Sequence, residues 1–251
     1  MNIQTKQITY LNQQKQNTLA TVHYVIFNNF DDLKSTIDDE FVDIVHASKI
    51  YDLKSTKKEI GKIIASKTDK QKYGLVAEFF AHIVLRNLNF TQECLYKNLE
   101  ESSMKKGFDG LYEKNSDFWL VESKSSYTKS FHPNKISEAV NDLKSKVESI
   151  QHNNPWMNAV HHLLVVQNKL ANNSLKNRVE ALSAEYQRGI THKLSEFNII
   201  PVSTLFIGNR QNFDDIINAL KTIFEGQTYK ELLVICIDNY VFDCFIQYLE
   251  N

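Results

Sequence analysis

The stretch GFDGLYEKNSDFWLVESKSS, residues 107–126, carries residue types that could do chemistry: Asp109, then Glu122 and Lys124 two positions apart. Asn115-Ser116 reads as the turn between two β-forming runs. A two-residue loop there sets Lys114 opposite Asp117, and counting back sets Asp109 opposite Glu122. A four-residue loop keeps that pairing, and an odd loop shifts it by one unless a bulge restores it. Directly opposed residues hold their Cβ atoms about 4.5–5.5 Å apart. Two carboxylates at that spacing repel unless a proton or a cation neutralises them. Strand alternation puts Glu122 and Lys124 on one face, with Trp119, Val121 and Ser123 on the other. Asp109, Glu122 and Lys124 can therefore converge. Hard carboxylate oxygens suit Mg²⁺ or Mn²⁺. Such an ion could polarise a phosphoryl oxygen and acidify a bound water. Lys124 could orient that water or neutralise charge building on the phosphate. Gly107 and Gly110 flank Asp109 and leave room for a ligand or for close backbone.

A second charge stands out by its surroundings. In YGLVAEFFAHIVL, residues 73–85, Glu78 is the one formally charged residue. A helix apolar all round is buried, which places Glu78 in a dry environment where an unpaired carboxylate is costly. His82 at i+4, a basic side chain elsewhere or the hairpin's cation could compensate it. His82 reads as a hydrogen-bonded core residue before it reads as a ligand. After the hairpin, SKSSYTKSFHPNK sets Lys129 and Lys135 among the hydroxyls of Ser125, Ser126 and Tyr127. That loop could grip phosphates, or it could be a plain polar connection.

The elements that must position these groups follow from periodicity. Residues 18–28 read as a strand, residues 30–69 as two or three helices, and residues 73–88 as a helix. The two hairpin strands come next. A helix after Pro133 has apolar residues at Ile136, Val140, Leu143, Val147 and Ile150. HHLLVVQ, 161–167, reads as a buried strand whose last residue, Gln167, could point into the cleft, and adjacent His161 and His162 would face opposite sides. A helix over 172–188, a strand over 198–208, a helix over 214–224, a strand over 231–238 and a final helix complete the chain. The order favours an α/β sandwich with a mixed sheet. No domain boundary is visible across residues 1–251, and residues 1–70 read as a mostly helical N-terminal part.

Composition bounds the rest. Formal net charge is -1 over 251 residues, so any basic surface must be local. Cys94, Cys236 and Cys244 have no paired spacing, which fits a reducing cytoplasm and gives no zinc motif. Cys236 and Cys244 read as core thiols. The polar start shows no signal peptide, and no apolar run is long enough to span a bilayer, so no membrane association is expected. P-loop, GxGxxG and GxSxG patterns are missing.

These residues resemble the PD-(D/E)xK nuclease superfamily, with Glu78 as the helical glutamate, Asp109 at the start of one strand, and Glu122-Ser123-Lys124 as the following (D/E)-x-K. The residue before Asp109 is Phe108 where the superfamily name has proline. The resemblance covers mainly residues 73 to about 167. It implies a restriction-endonuclease-like αβα sandwich and a metal-dependent phosphodiesterase. Asp109 and Glu122 would bind the metal, the Ser123 backbone carbonyl would help, Glu78 would be a further metal or water ligand, and Lys124 would position the nucleophilic water. Within the superfamily, KYGLVAEFFAHIVLRNL, GFDGLYEK, WLVESKSS and ISEAVNDLKSKV resemble the DUF1837/HamA family, which includes the nuclease component of Hachiman antiphage defence. That implies cleavage of DNA, a helicase partner, and products with a 5′-phosphate. A stand-alone restriction endonuclease is the rival within the superfamily. The alternative from another class is a non-catalytic nucleic-acid-binding or complex-assembly subunit with the same fold.

Overall fold

In the computed structural model, which describes residues 1–48, 50–97, 107–166, 173–206 and 210–250, the first elements form a hairpin. β1 (Asn2–Leu11) pairs antiparallel with β2 (Asn17–Phe27). Three helices follow: α1 (Asp31–His46), α2 (Leu53–Ala65) and α3 (Asp69–Asn87). The Asp52 carboxylate caps α2 by accepting from the Ser55 N–H at 2.8 Å, and Thr68 with Gln71 forms a capping box on α3. A short β3 (Thr91–Gln92) leads to the second hairpin, β4 (Gly110–Lys114) and β5 (Asp117–Ser126). Then come α4 (His132–Glu148), α5 (Pro155–Val166) and α6 (Asn173–Gln187). The chain closes with β6 (Asn198–Leu205), α7 (Phe213–Phe224), β7 (Glu231–Asn239) and α8 (Phe242–Glu250).

Among the described residues, seven strands join one mixed sheet, in the order β1-β2-β7-β6-β5-β4-β3. β2, β7, β6 and β5 run parallel, and β1, β4 and β3 add antiparallel edges. β6 is buried along its whole length, as a central parallel strand covered on both faces must be. One face packs Phe41, Ile60, Phe80 and Phe245, from α1, α2, α3 and α8, against Val121 and Ile235. The other packs Leu143, Trp156, Val179 and Ile216, from α4 to α7, against Leu120 and Val234. The result is an α/β fold with helices on both sides of the sheet.

Three sequence expectations change. The N-terminal part supplies a further strand, β1, besides the one expected over residues 18–28, which is β2, and two helices. In β1 only Ile8 and Tyr10 are fully buried, so an edge strand with one half-covered face left little alternation to detect. Residues 161–166 are the second half of a helix rather than a strand: Trp156, Ala159, Val160 and Leu163 recur at three- and four-residue spacing and are buried, while His161, Leu164 and Val165 are exposed. Pro155 opens that helix. Gln167 lies outside the described residues. His162 still proves structural, since its Nδ1 accepts from the Leu95 N–H at 3.1 Å. Cys236 is a buried thiol, but Cys244 is exposed.

Candidate functional site

The β4–β5 hairpin closes as a two-residue loop requires. Asn115 and Ser116 take φ of 54° and 65°, the mirror-image turn whose twist suits the flanking strands, and Lys114 pairs with Asp117. Gly110 pairs with Val121, so Asp109 falls at the next position, opposite Glu122. Its Oδ2 accepts the Ser123 N–H at 2.8 Å. The flanking glycines serve close packing. A Cβ at Gly110 would lie 3.0 Å from the Tyr112 ring and 3.2 Å from Val121 Cβ, and one at Gly107 would lie 3.0 Å from the Pro155 carbonyl oxygen.

Glu122 is buried at 2% exposure and points toward α4. Lys124 Nζ donates to Glu122 Oε1 at 3.0 Å and also pairs with Asp142 of α4. One turn further along α4, Lys146 Nζ donates to Glu122 Oε2 at 2.5 Å. Burial, joined by repulsion from Asp109, pushes the Glu122 carboxyl up to about 7, against the pull of Lys146 and Lys124. At Lys124 the balance reverses. Burial pulls it down, but at 26% exposure the Glu122 and Asp142 carboxylates win and hold its pKa above the ordinary lysine value.

α4 is fastened at its start. His132, in its first turn, is fully buried; its Nδ1 lies 2.8 Å from Ser203 Oγ on β6 and its Nε2 lies 3.1 Å from Asp238 Oδ1 on β7. Tyr24 and Tyr240 donate to Asp238 Oδ2. Burial lowers the His132 pKa against the pull of Asp238, which favours a neutral ring with Nε2 donating to Asp238 and Nδ1 accepting from the Ser203 hydroxyl.

All four candidate residues, Glu78, Asp109, Glu122 and Lys124, line one cleft of about 2020 Å³. Strand alternation nevertheless divides them. Glu122 and Lys124 face α4, whereas Ser123 faces α3, where it lines a small void with Glu78, Asp109 and His82. Asp109 borders both sides. Glu78 is half-buried rather than dry. His82 is buried, and its Nδ1 shares a short hydrogen bond with the Tyr112 hydroxyl, a core role. Of the expected phosphate contacts, Ser125, Ser126 and Lys135 line the cleft. Lys129 is exposed and is not part of the lining.

Sequence reasoning missed Lys146 and Asp142. They sit at i, i+4 on the polar side of a helix whose apolar side was legible, but nothing in the spacing said which polar residue reaches β5. It also missed the far wall of the cleft. There α2 presents Ser55, Lys58 and Lys62, followed by Lys67 and Lys70 before and at the start of α3.

Among the described residues, no group of three or more His, Cys, Asp or Glu side chains is disposed to hold a metal ion. The donors that do adjoin are two carboxylates, Asp109 and Glu122. Oxygen donors of that number fit Mg²⁺, which is held by one or two carboxylates together with waters and substrate phosphates. Ser123 Oγ, on the α3 side with Asp109, is buried with no hydrogen-bond partner among the described residues.

The HamA family model matches residues 2–246 of the chain. No curated protein and no solved structure matches it. Among the described residues no helix is long and apolar enough to cross a membrane.

Proposed function

The chain belongs to the HamA family, which makes it a component of antiphage defence, and from that premise we propose that it is the nuclease subunit of a Hachiman system, a metal-dependent phosphodiesterase of restriction-endonuclease-like fold acting on DNA beside a helicase partner. One observation carries this reading: Asp109, Glu122 and Lys124 meet at the adjoining ends of a hairpin, inside a cleft with a lysine-bearing opposite wall.

Asp109 and Glu122, with the Ser123 carbonyl, are the groups that would hold Mg²⁺ or Mn²⁺. When bound, such an ion would polarise a phosphoryl oxygen and acidify water. The chain's own contributions are separable. Asp109 uses Oδ2 to accept the Ser123 N–H, which fixes the carboxylate beside Glu122. Lys124 holds its ammonium against Glu122 and Asp142, ready to orient a water or to meet charge on a phosphate. Lys146 clamps the second Glu122 oxygen and so sets the plane of that carboxylate. Glu78, across β5, is a further candidate for holding water.

A second reading has its own support. Two ammoniums already neutralise Glu122 without any ion, as expected of a non-catalytic DNA-binding or assembly subunit. Nicking of plasmid DNA in Mg²⁺ by the wild type, Glu122→Gln and Lys124→Ala separates the two. The nuclease reading expects cleavage by the wild type and at least a hundredfold loss in each variant, with each variant still folded at the assay temperature by circular dichroism. Cleavage that survives both substitutions removes this cluster as the site.

A further inference from the structure

We propose that the cleft takes a single-stranded nucleic acid, with one unpaired base stacked on Tyr127 and the backbone phosphates running along the lysine wall of α2. The proposal rests on the nuclease reading of the same cleft and adds the form of the substrate.

Tyr127 follows the last residue of β5 and lines the cleft beside Ser126 and Thr128. It keeps 44% of its surface exposed. The ring does not swing freely. It lies parallel to Tyr73, with ring centroids 4.8 Å apart and 11° between the planes. Tyr73 is itself stacked on Phe242 of α8 at 4.1 Å and 24°. Ser126 Oγ donates to the Thr128 carbonyl at 3.0 Å and accepts the Thr128 N–H at 3.3 Å, which pins the loop on either side of the tyrosine. A flat ring held rigid at the top of an aromatic stack, with surface still open, is a platform for another flat ring.

The α2 side of the cleft is cationic. Lys58 and Lys62 are one turn apart on α2 and exposed, while Thr56, Ile60 and Ile64 bury the other side of that helix. Lys67 and Lys70 extend the row. Gly61 fixes how close α2 sits: a Cβ there would lie 3.3 Å from the Leu249 carbonyl oxygen of α8. The same helix, α8, thus supports both the lysine row and, through Phe242, the aromatic stack.

Phosphates alone would not distinguish one strand from two. The aromatic platform does, because a duplex keeps its base faces stacked inside and offers only edges, whereas an unpaired base can lay its face on a ring. A charged groove combined with a stacking ring is the arrangement that holds single strands with little sequence preference.

The test uses the intact chain in EDTA, so that neither cleavage nor a metal enters the readout. Fluorescence anisotropy compares a labelled thymidine oligonucleotide, an oligonucleotide of equal length and charge made of abasic sites, and a blunt duplex. The wild type is expected to bind the thymidine strand about tenfold more tightly than the abasic strand, and more tightly than the duplex. Tyr127→Leu should bring thymidine affinity down to the abasic level and leave abasic binding unchanged, while Tyr127→Phe should retain the difference. Lys58→Ala with Lys62→Ala should weaken both strands alike and flatten the salt dependence by about 0.7 in log–log slope per lysine. Equal wild-type affinity for thymidine and abasic strands, tighter binding of the duplex, no binding of any probe, or an indifferent Tyr127→Leu each overturns the proposal. None of these outcomes touches Mg²⁺-dependent cleavage, so this inference and the nuclease reading fail separately.

Discussion

Lys146 Nζ lies 2.5 Å from Glu122 Oε2, so a residue of α4 supplies the second countercharge to the most deeply buried carboxylate of the cleft. Removing it tests how that carboxylate is held. Among the described residues, Lys146→Met leaves Lys124 as the only ammonium in contact with Glu122. Breaking one side of a buried ionic cluster costs about 3 kcal/mol at the lower end of the usual range. Urea denaturation at pH 8 should show that loss, and at pH 4 most of it should disappear, because Glu122 is then protonated. A loss independent of pH would mean that Lys146 matters through packing alone.

The sign of the pH dependence follows from Glu122 itself. Its folded-state pKa is raised from 4.5 to about 7. Between those values the folded chain keeps a proton that the unfolded chain has released, so stability falls as pH rises through that window. The full gap corresponds to about 3 kcal/mol. Glu93, raised to about 7 by burial and then by Glu113, acts in the same direction. Denaturation in EDTA should therefore show a shallower decline between pH 4.5 and 7 for Glu122→Gln than for the wild type. Parallel profiles would contradict the burial and repulsion assigned to Glu122.

Asp109→Asn separates charge from geometry. The amide oxygen can still accept the Ser123 N–H, while the repulsion on Glu122 disappears. The Glu122 carboxyl, followed by carbon NMR against pH, should titrate at lower pH than in the wild type. An unchanged titration would mean that repulsion from Asp109 contributes nothing to it.

The fastening of α4 can be probed away from the cleft. Asp238→Ala leaves the His132 ring without its acceptor inside the core and takes from Tyr24 the shorter of its two bonds, the Gln211 carbonyl at 3.2 Å remaining, while part-buried Tyr240 loses its bond as well. Each unsatisfied buried donor costs about 1–3 kcal/mol, so the melting temperature should drop far more than for Tyr240→Phe, which removes a single 3.3 Å bond. Equal effects would remove this network as the anchor of α4.

The hairpin was legible in the sequence because turn chemistry and strand period are local. Asn115-Ser116 fixes the register, and the register brings Asp109 to Glu122. The lone charge of α3 was legible for the same reason, but its destination was not. Helix periodicity says that Glu78 points into the protein, not on which side of β5 it arrives. β1 escaped because an edge strand needs little apolar alternation. Residues 161–166 were misread because a short apolar run has the same composition in a buried strand and in the second half of a helix. Lys146 and the lysines of α2 became visible only once the sheet set α4 and α2 on either side of one cleft.

The central claim, that Asp109 and Glu122 form the seat of a divalent cation, is met most directly by calorimetric titration of Mn²⁺ into the wild type, Asp109→Asn and Glu122→Gln at pH 7.5. The account predicts a binding isotherm for the wild type that both single substitutions abolish, with all three chains equally folded by circular dichroism. A wild type that takes up no ion, or variants that bind it as the wild type does, would contradict it.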